Sequence, residues 1–195
     1  MVRHNLCLNP CLSNDVAGWG GGSTPTRVAS PAGFDRPYAA EYTTNSYAFT
    51  AATANGAVVE GLTYTLSAYV RTSTFSVNSG TLYVEWLTES GTGFGYPSSG
   101  FTMPAQTITR VGMTATAPAN AVAVRLIIDA INFPINPSVI TKALTEQVGA
   151  LDEYFDGDSV GGSWDGTPGN SSSTLADTAP AAAIPHVISQ YSGYF

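Results

Sequence analysis

The sequence predicts an all-β fold, an antiparallel β-sandwich. Polar and apolar residues alternate with a period of two in several segments, whereas helical periodicity is almost absent. Turn-forming residues separate these segments, as at Asn55-Gly56, Asn78-Ser79-Gly80, 90–100 and Pro118-Ala119-Asn120. Many short strands joined by such turns are typical of a sandwich, and 195 residues suffice for one principal domain.

Five strands are predicted in chain order. The first runs from about Tyr42 to Phe49. The second, 62–72, has an apolar face of Leu62, Tyr64, Leu66, Ala68 and Val70 and a more polar face of Thr63, Thr65, Ser67, Tyr69 and Arg71. In the other three, the inward residues are Leu82, Val84 and Trp86, then Val111, Met113 and Ala115, then Val122, Val124, Leu126 and Ile128. Each pattern indicates a half-buried strand.

Residues 138–149 fit two local structures. Asn136-Pro137 can cap a short helix that ends before Gly149, and the same residues can instead form the last strand of the sandwich. The residues alone leave both alternatives open.

The charge balance restricts the partners of the chain. Seven Lys and Arg against fourteen Asp and Glu give a net charge of −7, and there is no basic run, so we expect no nucleic-acid partner. The apolar stretches are shorter than the roughly 20 residues of a membrane span, so we expect no membrane insertion. The first ten residues lack the apolar core of an export signal, which predicts synthesis in the cytoplasm.

Cys7 and Cys11 are the two cysteines of the sequence. Neither has a CxxC partner or a nearby His/Cys pair at zinc spacing. On an extended segment they lie roughly 13 Å apart, too far for a disulfide, so we expect free or buried thiols rather than a disulfide.

Three segments resemble carbohydrate-binding-module-like jelly rolls. They are NLCLNPCLSNDVAGWG at 5–20, VEGLTYTLSAYVRTS at 59–73 and RVGMTATAPANAVAVRLII at 110–128. The resemblance implies a jelly roll over residues 1–152, and it implies that 140–150 is the last strand rather than a helix. It also suggests a structural calcium near Asn14 and Asp15, although Thr141 and Lys142 stand where the family has a further Asp. We therefore predict no cofactor, with that calcium as the alternative.

The segment LDEYFDGDSVGGSWDGTPGNSSS, 151–173, resembles an ending found in minor tail and other virion proteins of phages that infect actinobacteria. The resemblance implies a structural protein of the virion, most simply a minor tail protein at the tail tip or fibre. A capsid decoration protein and a module that binds host cell-wall glycans are the alternatives. Within 153–174, the two Asp-Gly pairs predict turns that fold Phe155 and Trp164 onto the sandwich as a hairpin clasp.

The same segment does not predict catalysis. The loop DGDSVGGSWDGT lacks the twelfth-position Glu of an EF-hand, since Thr167 stands there. Its carboxylates lie in a solvated Gly/Ser-rich stretch rather than in the buried pair that glycoside hydrolysis needs. The two histidines, His4 and His186, lie in terminal segments, and there is no Gly-x-Ser-x-Gly elbow. We expect a protein that is not an enzyme.

Two sets of residues are candidates for contacts with partners. Sugar sites combine aromatic faces with hydrogen-bonding side chains, and the outward residues that offer both are Tyr69, Arg71, Tyr83, Glu85, Arg125 and Asp129. They form one surface only if their strands share a sheet, and an exposed sheet face or a subunit contact is the alternative. The second set lies in a Pro/Ala-rich, extended arm at 175–195, predicted to dock on another virion protein or on a second copy in a homotrimer, through Ile184, Val187, Ile188, Tyr191, Tyr194 and Phe195.

Overall fold

The structure, a computed structural model, describes residues 2–22, 24–43, 47–72, 78–130 and 138–176. Within these ranges the chain forms fourteen β-strands and no helix. The strands are β1 Arg3–Asn5, β2 Gly20–Gly21, β3 Thr26–Ala29, β4 Tyr38–Tyr42, β5 Tyr47–Phe49, β6 Thr63–Thr72, β7 Asn78–Leu87, β8 Gly93–Phe94, β9 Ser98–Met103, β10 Thr109–Thr116, β11 Ala123–Ala130, β12 Ser138–Glu146, β13 Gly162–Trp164 and β14 Ser173–Leu175. The arm residues from Ile184 to Phe195 lie outside the described ranges.

Two antiparallel sheets form the body of the molecule. Sheet I has the strand order β10-β6-β12-β4-β3, and sheet II has the order β2-β5-β11-β7-β8, with β9 also paired to β7. A third, small sheet has the order β1-β14-β13. The predicted antiparallel β-sandwich is confirmed.

The alternating pattern places the core between sheets I and II. Tyr64 of β6 and Trp86 of β7 are both buried, and their rings meet edge to face with centroids 6.0 Å apart. Most of the other predicted inward residues of β6, β7 and β11 are buried as well, but Val122, just before β11, is only half-buried. Leu62 is an exception at 38% exposed, because it lies in the turn before β6 begins.

The strand predicted from Tyr42 to Phe49 is wrong, because two strands occupy this region. β4 ends at Tyr42 in sheet I, and β5 begins at Tyr47 in sheet II. The chain therefore changes sheets between them. The joining residues 43–46 are all polar, and local periodicity does not show which sheet each flanking segment joins.

Residues 138–146 form β12, which settles the choice between strand and helix. β12 pairs with β4 on one side and with β6 on the other, with a register shift between Thr141 and Leu144. Lys142 lies in this bulge with a φ of 56°. All nine residues of β12 are buried, so it lacks the two-sided pattern of an exposed sheet.

Residues 147–176 cover part of the outer face of sheet I. Because this cover extends beyond the predicted clasp of residues 153–174, the whole segment 147–176 is called the clasp from here on. Thr65 on that face donates a hydrogen bond to the Val148 carbonyl at 2.8 Å. The ring of Tyr154 packs edge-on against Tyr69, with centroids 6.3 Å apart. Thr65, on the more polar face of β6, is consequently buried, and Ser67 on the same face is buried where Arg110 donates to its hydroxyl.

Asp156 is the central residue of the clasp. Its carboxylate is fully buried and accepts two hydrogen bonds of 2.6 Å from Arg36 and one of 2.7 Å from the Tyr154 hydroxyl. Burial alone would raise the pKa of Asp156, but these hydrogen bonds from Arg36 and Tyr154 hold it below its ordinary value. The clasp is thus tied to the loop before β4 by a charged pair.

The two aromatic residues that precede the Asp-Gly pairs, Phe155 and Trp164, make different contacts. Phe155 is 2% exposed, with the Arg3 guanidinium 4.7 Å from its ring centroid, as expected of an aromatic residue folded onto the sandwich. Trp164 does not reach the core. It packs on Gly157 and donates from Nε1 to Asp158, both within the clasp. β13 and β14 form the predicted hairpin, while the division of the chain at 152 and 174 stays a prediction.

The cysteines are both free and buried, as predicted. The Cys7 thiol donates towards the Ala51 carbonyl at 3.3 Å. Burial raises the pKa of both thiols, that of Cys11 to about 11. Both therefore stay protonated at neutral pH and have a packing role.

Candidate functional site

The outward face of sheet II carries a row of large side chains on three adjacent strands. The same alternation that buries Leu126 and Ile128 turns the intervening residues of β11 outward. In register, Ile127 lies between Phe49 of β5 and Tyr83 of β7, and Asp129 lies between Tyr47 and Thr81. These side chains form one continuous surface.

A groove of about 420 Å³ crosses this surface. It is lined by Tyr47, Tyr83, Tyr96, Ile127 and Asp129. Tyr47 is 38% and Tyr96 51% exposed, so their rings are open to a ligand. The volume lies within the range of about 300–1,000 Å³ that is usual for small-molecule sites.

Glu85 and Arg125 form a fixed pair beside the groove. Arg125 donates from Nε to Glu85, directly opposite it in the register, and its guanidinium lies 3.8 Å from the ring centroid of Phe49. The Tyr96 hydroxyl donates to the Glu85 carboxylate at 3.2 Å. Loss of solvent and the Glu85 charge raise the pKa of Tyr96, so this hydroxyl stays protonated.

Gly93 brings the turn that carries Tyr96 close to this pair. A Cβ atom at Gly93 would overlap the Glu85 carboxylate. Any larger residue would therefore displace Glu85 or the turn. The close approach places Tyr96 over the edge of the sheet, where it forms one wall of the groove.

The structure splits the six outward residues predicted as a contact surface. Tyr83, Glu85, Arg125 and Asp129 lie together on sheet II. Tyr69 and Arg71 lie on β6 in sheet I, on the opposite side of the sandwich. Tyr69 is covered there by Tyr154, so a single surface of six residues is wrong. The reason is that β6 pairs with β10 and β12 rather than with β7 or β11.

Sequence reasoning missed four residues of the site: Tyr47, Phe49, Tyr96 and Ile127. The alternation of Tyr47 and Phe49 with buried Ala48 was a usable signal. Tyr96 gave no signal, because its position depends on the long-range pairing of β8 and β9 with β7.

The residues near the suggested calcium site make contacts within the protein, and a calcium there stays a prediction. Asn14 directs its amide nitrogen to the Pro168 carbonyl at 2.8 Å, and one carboxylate oxygen of Asp15 accepts from the Ala17 backbone at 2.9 Å. Thr141 donates to the Tyr38 carbonyl, and Lys142 places a cation in this region. In the described ranges no group of three or more His, Cys, Asp and Glu could hold a metal.

The carboxylates of the clasp have structural partners. Asp158 accepts from the Trp164 indole at 2.9 Å, and Asp165 accepts from Ser172 and Thr174 at 2.8 and 2.7 Å. Asp152 lies 3.5 Å from Arg3. These contacts tie loops together, and they leave the expectation of a non-catalytic protein as a prediction. In the described residues we find no helix with the length and hydropathy to span a membrane.

Solved carbohydrate-binding modules share this fold. The C-terminal family 22 module of Clostridium thermocellum Xyn10B matches with a TM-score of 0.58 and 15% identity, over 77% of this chain and 94% of the module. The fold is the jelly roll of carbohydrate-binding modules. A xylan-binding domain of family 22 matches with a TM-score of 0.58 and 16% identity, over 76% of this chain and 96% of that domain.

Longer chains also match over part of their length. The enzymatically active domain of tailspike protein 4 of bacteriophage CBA120 matches with a TM-score of 0.53 and 11% identity, over 74% of this chain and 21% of that one. The match to a C. thermocellum xylanase chain, which contains a family 22 module and a GH10 module, covers 28% of that chain. This chain thus spans about a quarter of each. No family model and no curated protein matches the sequence. These identities establish the fold alone.

Proposed function

We propose that the chain is a glycan-binding module and that the groove of sheet II is its binding site. The observation that carries the proposal is the set of three tyrosines, Tyr47, Tyr83 and Tyr96, around one open groove. Aromatic rings stack on the apolar faces of pyranose rings, and the flanking polar side chains hydrogen-bond to hydroxyl groups. The names of the matched modules support this function, since one is a xylan-binding domain.

The geometry favours an extended oligosaccharide. The groove is open rather than enclosed and is continuous with the Arg125–Glu85 pair along the same sheet face. That pair already has mutual hydrogen bonds, so its remaining donors and acceptors have fixed directions. Fixed polar groups reduce the ordering cost of binding.

Tyr83→Ala is expected to weaken glycan binding about tenfold or more, because this half-buried aromatic ring lines the groove and would contact the glycan directly. The measurement is calorimetric titration with xylohexaose, the ligand of one matched chain, followed by a panel of other oligosaccharides. Tyr38→Ala on sheet I is the matched control and should keep full affinity. Binding that survives Tyr83→Ala would contradict the assignment of the site.

A second candidate is a structural role in a phage particle. The resemblance of residues 151–173 to virion proteins supports it, as does the likeness of the fold to a phage tailspike domain. The two roles are compatible, since a minor tail protein can carry a glycan-binding face. Its localisation in the virion, its virion partners and the homotrimer are parts of this proposal.

The virion role predicts that the protein co-sediments with purified particles at a fixed copy number. Quantitative mass spectrometry of gradient-purified particles measures this ratio. A protein found only in the soluble fraction of lysed host cells would contradict the role and would leave glycan binding unaffected.

A further inference from the structure

Every Lys and Arg of the chain has an ion-pair or hydrogen-bond partner other than Asp129, which lines the tyrosine groove. The sequence contains seven such residues, and all seven lie in the described ranges. Four form ion pairs, which are Arg3–Glu146, Arg36–Asp156, Arg125–Glu85 and Lys142–Asp35. The other three donate to oxygen atoms and are Arg27 to Leu12, Arg71 to Gln106 and Arg110 to Ser67. The chain therefore has no Lys or Arg left to neutralise a carboxylate in the groove.

Asp129 is that carboxylate. It lines the groove, directly opposite Tyr47 in the register and two residues from Ile127 on the same face. Arg125, the one cation on this face, lies four residues away along β11, at roughly 13 Å, and is paired with Glu85. Among the described residues no side chain forms an ion pair or a hydrogen bond with the Asp129 carboxylate. The groove thus combines three tyrosine rings with one unpaired negative charge.

We propose that this groove selects glycans that carry free, protonated amino groups. The inference rests on the proposed function and specifies its ligand class. An ammonium group on a sugar would form a charge-assisted hydrogen bond with Asp129, which is stronger than a bond between neutral groups. The tyrosine faces would attract the same cation through their quadrupoles. N-acetylation removes the charge, and a uronic acid would place a second carboxylate beside Asp129.

The test compares two hexaoses with the same β-linked backbone, one of glucosamine and one of N-acetylglucosamine. Titrations are made at about pH 5.5, where an aspartate is ionised and the sugar amines are protonated. We expect the wild-type protein to bind the glucosamine hexaose about tenfold more tightly. Asp129→Asn should bring the two affinities within about twofold of each other, and Asp129→Glu should keep the preference.

The control separates specific binding from general attraction to an acidic protein. Glu89→Gln removes the same unit of charge at an exposed position outside the groove and should leave the preference unchanged. Equal affinities in the wild-type protein, or a preference that survives Asp129→Asn, would overturn the inference.

The titrations with the oligosaccharide panel also show whether only the inference about amino groups is wrong or the proposed glycan binding as well. If neutral hexaoses bind and Tyr83→Ala abolishes their binding, the groove is a glycan site without charge selection. In that case the inference alone is wrong. If no oligosaccharide of the panel binds, both the function and the inference are overturned.

Discussion

Replacement of Trp86 by alanine is expected to lower the free energy of unfolding by about 3–5 kcal/mol. Trp86 is 1% exposed and fills the space between the two sheets, against Tyr64 of the facing sheet. Its removal leaves a cavity that the rigid strands on either side cannot close. Urea denaturation followed by circular dichroism measures the loss.

The control for Trp86→Ala lies three residues earlier on the same strand. Tyr83 points to the opposite face of sheet II, so Tyr83→Ala should cost less than about 1 kcal/mol. Similar losses in the two variants would mean that the inward and outward faces of β7 have been assigned wrongly.

Arg36→Ala is expected to destabilise the protein by a comparable amount, about 3–5 kcal/mol. The Asp156 side chain is 0% exposed, and Arg36 supplies its charge partner at 2.6 Å. Without Arg36, a fully buried carboxylate would keep its charge without compensation or bind a proton at a cost in stability. Thermal unfolding at pH 7 measures the effect. Arg71→Ala, which removes one hydrogen bond to a loop carbonyl, is the matched control, with an expected change of about 0.5 kcal/mol or less.

The same pair predicts a dependence on pH. Because the pKa of Asp156 is lower in the folded protein than its ordinary value, ionisation of Asp156 stabilises the fold above the unfolded pKa of about 3.9. This contribution is lost as the pH falls through the lower, folded pKa. Acidification below about pH 4 should therefore lower the melting temperature of the wild-type protein more than that of Asp156→Asn. Parallel curves for the two proteins would show that the pair contributes nothing.

The sequence predicted the strands of this fold better than their arrangement. Alternation located β6, β7 and β11 and their buried faces, because burial on one side imposes a period of two on any strand. It could not show that the chain changes sheets between Tyr42 and Tyr47. It also missed the cover over Thr65, because that cover comes from Val148, 83 positions later in the chain.

The candidate site was predictable in the same partial way. Tyr83, Glu85, Arg125 and Asp129 could be named because they alternate with buried residues on strands with a clear pattern. Their separation from Tyr69 and Arg71 depended on strand pairing, which local sequence does not encode. The sequence could not show that Asp129 lacks a cationic partner. That conclusion needs the partners of all seven Lys and Arg residues, which are known only from the folded protein.

The small third sheet also sets an order of events during synthesis. Within this chain β1 leaves the ribosome before its backbone partner β14, which follows about 170 residues later. The buried amide of Asn5 likewise donates to the carbonyls of Ala143 and Phe155. Such distant contacts form late, because long loops must close first. β1 therefore gains its backbone partner only after the residues up to Leu175 have been translated, and its edge is unpaired until then.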